Sequence, residues 1–186
     1  MRVSRVFLRE PGPPDRDEFL ERVHASRRLH RHWAYPPDTP ERYASLLRRA
    51  EAPSERVRLI CRSEDGAIVG AANLSQILLG DFRSAHLGYF GFAPFDGDGY
   101  MTEGIALMLR MAFDDVGLHR VEANVQPDNE RSIALLERLG FRCEGYSRRY
   151  LKIGGRWRDH VRYAILAEEF RGRRLPGRAA GGSRRS

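Results

Sequence analysis

The stretch FAPFDGDGYMTEGIALMLRMAFDDVG, residues 92–117, decides the fold. Its second half carries a single apolar stripe at helical spacing, made of Met101, Ile105, Met108, Leu109, Ala112, Phe113 and Val116. This spacing predicts an amphipathic helix, and Gly117 is a typical stop signal for it. The glycine-rich turn at 96–99 joins the helix to a strand expected at 84–92, where aromatic and small residues fit a pleated surface. The segment is therefore expected to be a strand, a turn and a helix.

Short apolar runs and turn residues on either side of this unit predict the other elements. Strands are expected at 3–9, 57–62, 68–75, 121–126, 141–153 and 157–166, and helices at 15–30, 40–50 and from Asn129 to Gly140. Asp15 is the expected N-cap of the first helix, and Thr39 caps the second, with Pro40 at its first position. The order β-α-α-β-β-β-α-β-α-β-β indicates an α/β (mixed α+β) fold.

Composition limits the class of protein. A chain of 186 residues with 41% hydrophobic and 31% charged residues is typical of one soluble domain. Cys61 and Cys143 are too few for a disulfide framework, and His24, His30 and His32 show no metal-ligand pattern. No apolar run is long enough to span a membrane and no secretory signal is visible. We therefore expect a cytoplasmic protein without a metal.

The net charge of +7 is concentrated at the C-terminus. Residues 1–170 hold 26 basic and 25 acidic residues, whereas residues 171–186 hold six arginines and no acid. We expect a folded domain at 1–170 and a disordered Arg/Gly-rich tail at 171–186. Such a tail can contact RNA or the ribosome weakly, or it can remain solvated without a partner.

The turn at 96–99 has the composition of a phosphate site. Glycines let backbone amides approach a ligand closely, and the first turn of a helix offers unpaired N–H groups. A P-loop is excluded because Tyr100 and Met101 stand where Lys and Ser or Thr are required. A dinucleotide fingerprint is excluded because Thr102 replaces a glycine. Two interpretations remain open: a pyrophosphate cradle of backbone amides, or a tight strand–helix connection with no ligand.

Further motifs follow the turn in a fixed order. They are Gly97-Asp98-Gly99, His119-Arg120-Val121-Glu122-Ala123-Asn124, Asn129-Glu130-Arg131-Ser132, Leu139-Gly140-Phe141, Glu144-Gly145-Tyr146 and Gly155-Arg156-Trp157-Arg158-Asp159-His160. In this order they resemble the GCN5-related N-acetyltransferases (GNAT). Within that family they look like the ribosomal-protein-alanine N-acetyltransferase branch. The resemblance covers about residues 3–170, and 69–75 fits it as well.

This resemblance implies a fold and a cosubstrate. The fold is a central, mixed, splayed sheet of about seven strands flanked by about four helices, with a bulge in the fourth strand that separates it from the fifth. The cosubstrate is acetyl-CoA. Its pantetheine arm would lie beside Phe90, Gly91 and Phe92, and Asn129 would contact the arm or simply cap its helix. The pyrophosphate would lie on the amides of Gly97, Asp98, Gly99, Tyr100, Met101 and Thr102.

The resemblance also suggests how the leaving thiolate is protonated. Many relatives carry a tyrosine as general acid in the helix after the fifth strand, at the position of Leu136 here. A leucine cannot donate a proton. Ser132, one turn earlier and three residues after Asn129, is therefore the expected general acid or water holder. The alternative is a small polar residue in a first helical turn.

The base for the acceptor amine is less defined. Some relatives place a carboxylate immediately before a Tyr-Leu pair of the sixth strand, where this chain has Arg149. Glu122 and Glu103 are substitutes, and deprotonation through water is an equal alternative because a free α-amine has a pKa of ~8. A backbone N–H near Phe92 is expected to polarise the thioester carbonyl.

The acceptor is expected to be a protein N-terminal α-amine of the ribosomal-protein alanine type, attacked directly in a ternary complex. The alternatives are a small-molecule amine or a non-catalytic ribosome- or RNA-associated factor that uses the basic tail. The loop at 33–37, which contains Tyr35, is a candidate wall of the acceptor site. We expect a monomer or homodimer without a membrane partner.

Overall fold

One mixed seven-stranded sheet organises the chain, in the order β1-β2-β3-β4-β5-β7-β6. The computed structural model describes residues 4–31 and 33–171. The strands are β1 (Val6–Arg9), β2 (Arg56–Arg62), β3 (Ile68–Leu78), β4 (Ser84–Gly91), β5 (Arg120–Val125), β6 (Arg142–Ile153) and β7 (Arg156–Leu166). Neighbouring strands are antiparallel except β4 and β5, which are parallel. The expected mixed α/β class and strand number are confirmed.

Helices cover both faces of the sheet. They are α1 (Arg16–Ala25), α2 (Arg27–His30), α3 (Pro40–Ala50), α4 (Tyr100–Arg110), α5 (Glu130–Leu139) and α6 (Ala167–Arg171). Four of them, α1, α3, α4 and α5, have ten or eleven residues, and their number agrees with the expected four or so flanking helices. The helices α4 and α5 pack on one face, over a core that includes Ile60, Met108 and Leu136. The helices α1 and α3 pack on the other face, where Phe19 and Leu59 are fully buried.

The first predicted helix is interrupted in the structure. Ser26 separates α1 from α2, and its hydroxyl donates to the carbonyl of Arg22 at 2.6 Å and accepts the backbone N–H of Ala93 at 2.9 Å. A serine that bonds to backbone groups competes with helical hydrogen bonding, which explains the break. Asp15 directly precedes α1, but it forms no cap hydrogen bond because its carboxylate accepts from Arg9 and from the N–H of Gly12.

Two element boundaries and the position of one bulge also differ from the expectations. The strand β3 runs three residues beyond Ser75, and the helix predicted to reach Val116 changes at Met111 into a π-helical turn, Met111–Asp115. The bulge predicted in β4 is wrong. The β4 register against β3 is continuous from His86 to Gly91, and the extra residue lies in β3 between Ser75 and Leu78.

Part of the predicted tail is helical. Arg171 ends α6, and its guanidinium pairs with Asp114 at 3.0 Å, which fixes the end of the domain against the end of the π-helical turn. Residues 172–186 lie outside the described residues. Val3, the first residue of the first expected strand, and His32, one of the three histidines assessed as metal ligands, lie outside them as well.

Candidate active site

The parallel pair β4–β5 separates after three residue pairs. Ser84, Ala85 and His86 pair with Arg120, Val121 and Glu122, and the strands diverge beyond this point. The N–H of Phe92 donates to the carbonyl of Val69 on β3 at 2.9 Å. Backbone groups of every second β4 residue therefore bond to β3, and the backbone groups of the residues between them point away from β3. The backbone N–H groups of Tyr89 and Gly91 therefore face the split, where an extended ligand could pair with them.

A cleft of about 400 Å³ lies where the split, the Gly97–Gly99 turn and α5 meet, and we call it the turn cleft. It is lined by Leu29, His30, Trp33, Val69, Tyr89, Phe90, Gly91, Phe92, Phe95, Asp96, Gly97, Gly99, Met101, Thr102, Asn129, Arg131, Ser132, Ala134, Leu135 and Arg138. Nine of the eleven predicted cofactor-binding residues are among them. The other two, Asp98 and Tyr100, are not among the lining residues, and both contact Arg5. Arg5 donates to the Asp98 carbonyl at 3.0 Å and lies 4.8 Å from the centre of the Tyr100 ring.

The glycine turn has the backbone conformation that its composition predicts. Gly97 and Gly99 have φ angles of 93° and 84°, a region that favours glycine, and Gly99 directly precedes α4. The first amides of a helix have no partner within the helix, and they carry the positive end of its dipole. The turn can therefore present several N–H groups to an anion.

Two arginines on α5 add positive charge to the turn cleft, and sequence reasoning did not identify them. Arg131 pairs with Asp96 at 3.0 Å, which offsets the negative charge of Asp96 beside the turn. Arg138 donates to the Thr102 hydroxyl at 3.3 Å. The two arginines lie on one face of α5, because the helical spacing runs from Arg131 through Ala134 or Leu135 to Arg138. This spacing could have revealed both arginines from the sequence.

The cavity inside the split is small, about 80 Å³, and we call it the throat. Its lining consists of Trp33, Leu87, Tyr89, Ala123, Asn124, Val125, Gln126, Asn129, Ser132 and His160. It shares Trp33, Tyr89, Asn129 and Ser132 with the turn cleft, so the two spaces adjoin.

Ser132 and Asn129 occupy the α5 side of the throat. Asn129 caps α5, because its side-chain oxygen accepts the N–H of Ser132 at 3.3 Å. The Ser132 hydroxyl lies 2.5 Å from the phenol oxygen of Tyr89, a residue that sequence reasoning missed. Burial raises the pKa of Tyr89, so the phenol keeps its proton at neutral pH. The pair can hold a proton near the split.

Neither predicted carboxylate base lines the throat or the turn cleft. Glu122 accepts from Arg120 at 2.9 Å, and Arg120 also pairs with Glu144. Glu103 accepts from Arg5 at 2.7 Å at the start of α4. The expected carbonyl-polarising N–H near Phe92 is also unavailable at Phe92 itself, since Val69 accepts it. The N–H groups that face the split are those of Tyr89 and Gly91.

A second cleft, of about 280 Å³, lies on the α3 side of the sheet, and we call it the arginine groove. It is lined by Tyr35, Pro37, Arg42, Ser45, Leu46, Arg49, Val57, Ala71, Ala72, Asn73 and Phe90. Phe90 belongs to both the arginine groove and the turn cleft. The loop at 33–37, predicted as an acceptor wall, contributes Trp33 to the throat and Tyr35 and Pro37 to the groove.

The described residues offer neither a membrane-spanning helix nor a cluster of metal ligands. In residues 4–31 and 33–171, no helix is long and apolar enough to cross a membrane. The same residues contain no group of three or more His, Cys, Asp or Glu side chains that could hold a metal ion.

Comparison with known proteins identifies the family. The family model described as the acetyltransferase (GNAT) domain matches residues 5–142. This chain belongs to the GNAT acetyltransferase family. It is 38% identical over 126 residues to the probable N-acetyltransferase YjcK of Bacillus subtilis, a match that covers 68% of this chain and 70% of the relative. As in its named relatives, the enzyme class is N-acetyltransferase.

Other relatives of this GNAT enzyme differ in the acceptor that they are named for. The [ribosomal protein uS5]-alanine N-acetyltransferase of Escherichia coli is 39% identical over 115 residues, which cover 62% of this chain and 57% of the relative. The structure of Mycobacterium smegmatis RimJ in complex with CoA-disulfide superposes with a TM-score of 0.81 and 34% identity, covering 88% of this chain and 83% of the other. The spermidine N-acetyltransferase of Vibrio cholerae, in complex with CoA and spermine, has a TM-score of 0.78 at 21% identity, over 91% and 100% of the two chains, and this likeness shows the fold alone.

Proposed function

We propose that this GNAT enzyme transfers the acetyl group of acetyl-CoA to the α-amine of a polypeptide N-terminus, of the ribosomal-protein alanine type. The amine attacks the thioester directly while both substrates are bound. The supporting relatives are the uS5-alanine enzyme of E. coli and M. smegmatis RimJ, the second of which was solved with a CoA derivative.

The turn cleft suits acetyl-CoA. In this proposal the pyrophosphate lies on the amides that follow Gly97 and Gly99, and Arg131 and Arg138 supply cationic charge beside it. The pantetheine arm runs along the unpaired edge of β4, where the N–H of Tyr89 and Gly91 face the split. This path directs the thioester to the throat.

The chemistry at the throat needs a polarised carbonyl and a proton for the thiolate. The N–H of Tyr89 is placed to polarise the thioester oxygen as the tetrahedral intermediate forms. The Ser132 hydroxyl, with the Tyr89 phenol behind it, then protonates the departing sulfur. Holding both substrates in line supplies much of the rate.

The charge of the arginine groove is the observation that favours a polypeptide acceptor over a polyamine. Arg42 and Arg49 line the groove, and their partners Asp38 and Glu55 are not among its lining residues. Although each arginine is ion-paired, its guanidinium offers N–H donors to the groove, which peptide carbonyls and acidic side chains can accept. The ammonium groups of a polyamine such as spermidine have no acceptor to offer these donors. The groove shares Phe90 with the turn cleft, so a chain lying in it can reach the thioester.

The test is an acceptor screen that measures CoA release. The panel contains alanine-initiated peptides with acidic or basic second and third residues, spermidine, and an aminoglycoside. We expect the acidic peptides to have the highest kcat/KM, and a preference for spermidine or the aminoglycoside would contradict the proposal. The Arg42→Gln/Arg49→Gln double variant should raise KM for acidic peptides by about two- to fivefold, as expected for partly exposed charges. The control Arg16→Gln, an exposed arginine of α1 paired with Asp17, should leave KM unchanged.

No observation favours the third possibility, a non-catalytic factor that binds RNA through its tail. The named relatives are N-acetyltransferases, and residues 172–186 lie outside the described residues. RNA binding that disappears when these residues are deleted, in a protein that acetylates nothing in the screen, would support that possibility instead.

A further inference from the structure

The throat has a second polar side chain, contributed by β7, which the proposed chemistry above does not use. His160 projects from β7 into the throat lining and is only 3% exposed. It is the one imidazole among the residues that line the throat. The throat therefore contains two different groups that can transfer a proton, the hydroxyl pair of Ser132 and Tyr89 and the imidazole of His160.

Hydrogen bonding determines which nitrogen of His160 is available. Nδ1 lies 3.0 Å from the carbonyl oxygen of Arg158 on the same strand, and a carbonyl can only accept, so Nδ1 carries the proton. Nε2, on the opposite edge of the ring, keeps its lone pair, and within residues 4–31 and 33–171 no group forms a hydrogen bond with it. The ring is thus set as a proton acceptor at Nε2.

The surroundings keep this imidazole neutral. Burial lowers the pKa of His160 below its ordinary value, against smaller opposite effects from the Arg158 carbonyl and the Asp159 carboxylate. The other titratable groups that face it are the phenols of Tyr150 on β6 and Tyr89 on β4. The throat residues from β5 and α5 are uncharged. His160 therefore enters the reaction without a proton at neutral pH.

An irregularity in β6 builds the position of the ring. The register between β6 and β7 shifts between Ser147, which pairs with His160, and Leu151, which pairs with Arg158. Within this irregularity Arg149 has a φ angle of 47°. The Arg149 N–H donates to Asp159 at 2.7 Å, and this contact holds the bulge. The bulge places the Tyr150 ring edge-on to the imidazole, with 6.2 Å between ring centres. Bulges of this kind often re-aim side chains beside active sites.

We propose that His160 is the base that removes the ammonium proton of the bound acceptor. This inference rests on the proposed function. Nε2 takes one proton from R–NH₃⁺, the nitrogen lone pair forms the C–N bond at the thioester carbon, and the C–S bond then breaks. A second proton from the same nitrogen is passed through Ser132 to the thiolate sulfur. The imidazolium then returns its proton to solvent. The products are the amide, CoA thiol and one released proton.

The size of the effect follows from the acceptor. A peptide α-amine has a pKa of ~8, so about a tenth of it is already neutral at pH 7. An enzyme without the base can use only that tenth, which caps the loss in kcat/KM at about tenfold at pH 7. At pH 9 the amine is mostly neutral, and the loss should fall below about twofold. A residue that only maintained structure would give the same loss at both pH values.

The experiment compares the full-length protein with His160→Gln between pH 6 and pH 9, using an alanine-initiated peptide at saturating acetyl-CoA. We expect the ratio of parent to variant kcat/KM to fall from about ten at pH 7 to about one at pH 9. His119→Gln is the matched control, because this exposed histidine pairs with Glu168 outside all three cavities. Its ratio should stay near one throughout. A ratio for His160→Gln that does not change with pH would overturn the inference.

A measurement on the unmodified protein covers the case in which His160→Gln does not fold. The imidazole of His160 is titrated by NMR in the CoA-bound enzyme, and its pKa is compared with the acidic inflection of kcat. If the two pKa values agree and both lie below the ordinary value of histidine, the inference is supported. If the pKa of His160 differs from the inflection of kcat, the inference is refuted. An active parent with a pH-independent ratio contradicts only the role of His160. A parent that acetylates no peptide or amine contradicts the proposed function as well.

Discussion

The hydrogen bond between Ser132 and Tyr89 leads to a quantitative prediction about thiolate departure. The two oxygens are 2.5 Å apart beside the split, and the Tyr89 phenol also lies 3.4 Å from the backbone carbonyl of Ser132. In Ser132→Ala this carbonyl remains, so the buried phenol keeps an acceptor. The expected change in the free energy of unfolding is therefore below about 1 kcal/mol.

The expected loss of rate is much larger than the loss of stability. General acid catalysis contributes about 10²–10⁴ in rate, and a hydroxyl that relays a proton from a neighbour belongs at the low end. We expect Ser132→Ala to lower kcat about 10- to 100-fold, a rise in the activation free energy of ~1.4–2.7 kcal/mol. Because Ser132 is held by Asn129 through its backbone N–H, the affinity for acetyl-CoA should stay within a few fold.

A double-mutant cycle tests whether the two hydroxyls act as one relay. If the proton passes from Tyr89 through Ser132, Tyr89→Phe loses a similar factor, and the double variant loses little more than the worse single variant. The coupling energy is then about as large as either single effect. If the hydroxyls act independently, the two losses multiply.

The assay is single-turnover acetyl transfer at saturating acetyl-CoA, which isolates the chemical step from product release. Asn129→Ala is the contrasting variant. It removes the α5 cap, at a cost of about 1 kcal/mol in stability, and should weaken cofactor binding more than turnover. A Ser132→Ala enzyme that matches the parent in single turnover would refute the assignment, and Ser132 would then be a polar residue in a helix start and no more.

Three further predictions concern the turn cleft and the domain. Replacing Gly97 and Gly99 with valine should raise the Kd for CoA at least about tenfold in a calorimetric titration. The control Gly66→Val, at a similar φ angle of 77° in the β2–β3 turn, should leave the Kd unchanged. Equal Kd values for the two variants would contradict the amide cradle. A chain ending at Arg171 should keep kcat within about twofold, since the pair with Asp114 is retained; a large drop would place residues 172–186 in the active site. Leu136→Ala should lower the free energy of unfolding by about 2–5 kcal/mol in urea titrations, because the side chain is fully buried under α5; a change under about 1 kcal/mol would contradict that packing.

Local sequence signals were sufficient for most of the fold. The α4 stripe and the Gly97–Gly99 turn follow from helical spacing and from glycine chemistry, which are properties of neighbouring residues. The break at Ser26 does not, because its hydroxyl accepts the N–H of Ala93, a residue 67 positions away. The bulge expected in β4 came from the family resemblance, and no local signal in this chain could have moved it to β3, since register depends on two strands at once.

The same difference between local and long-range signals explains which residues of the candidate site were predicted. Asn129 and Ser132 were predicted because a run of adjacent residues carries the family resemblance. Tyr89 was missed because its partner lies 43 residues away on α5, and only the packing of α5 against β4 makes the pair visible. The carboxylates suggested as bases, Glu122 and Glu103, have the required side chains, but the fold pairs each with an arginine outside the throat.

The proposed placement of acid and base on different elements of the throat has a physical consequence. The amine must lose a proton before attack, and the sulfur must gain one after it, so the two groups have to act on different atoms at different times. The proposed base on β7 and the proposed proton donor on α5 belong to separate elements of the throat lining, so each can be positioned for its own atom. The split between β4 and β5 is what creates this separation, since a continuous sheet would leave no passage from one face to the other.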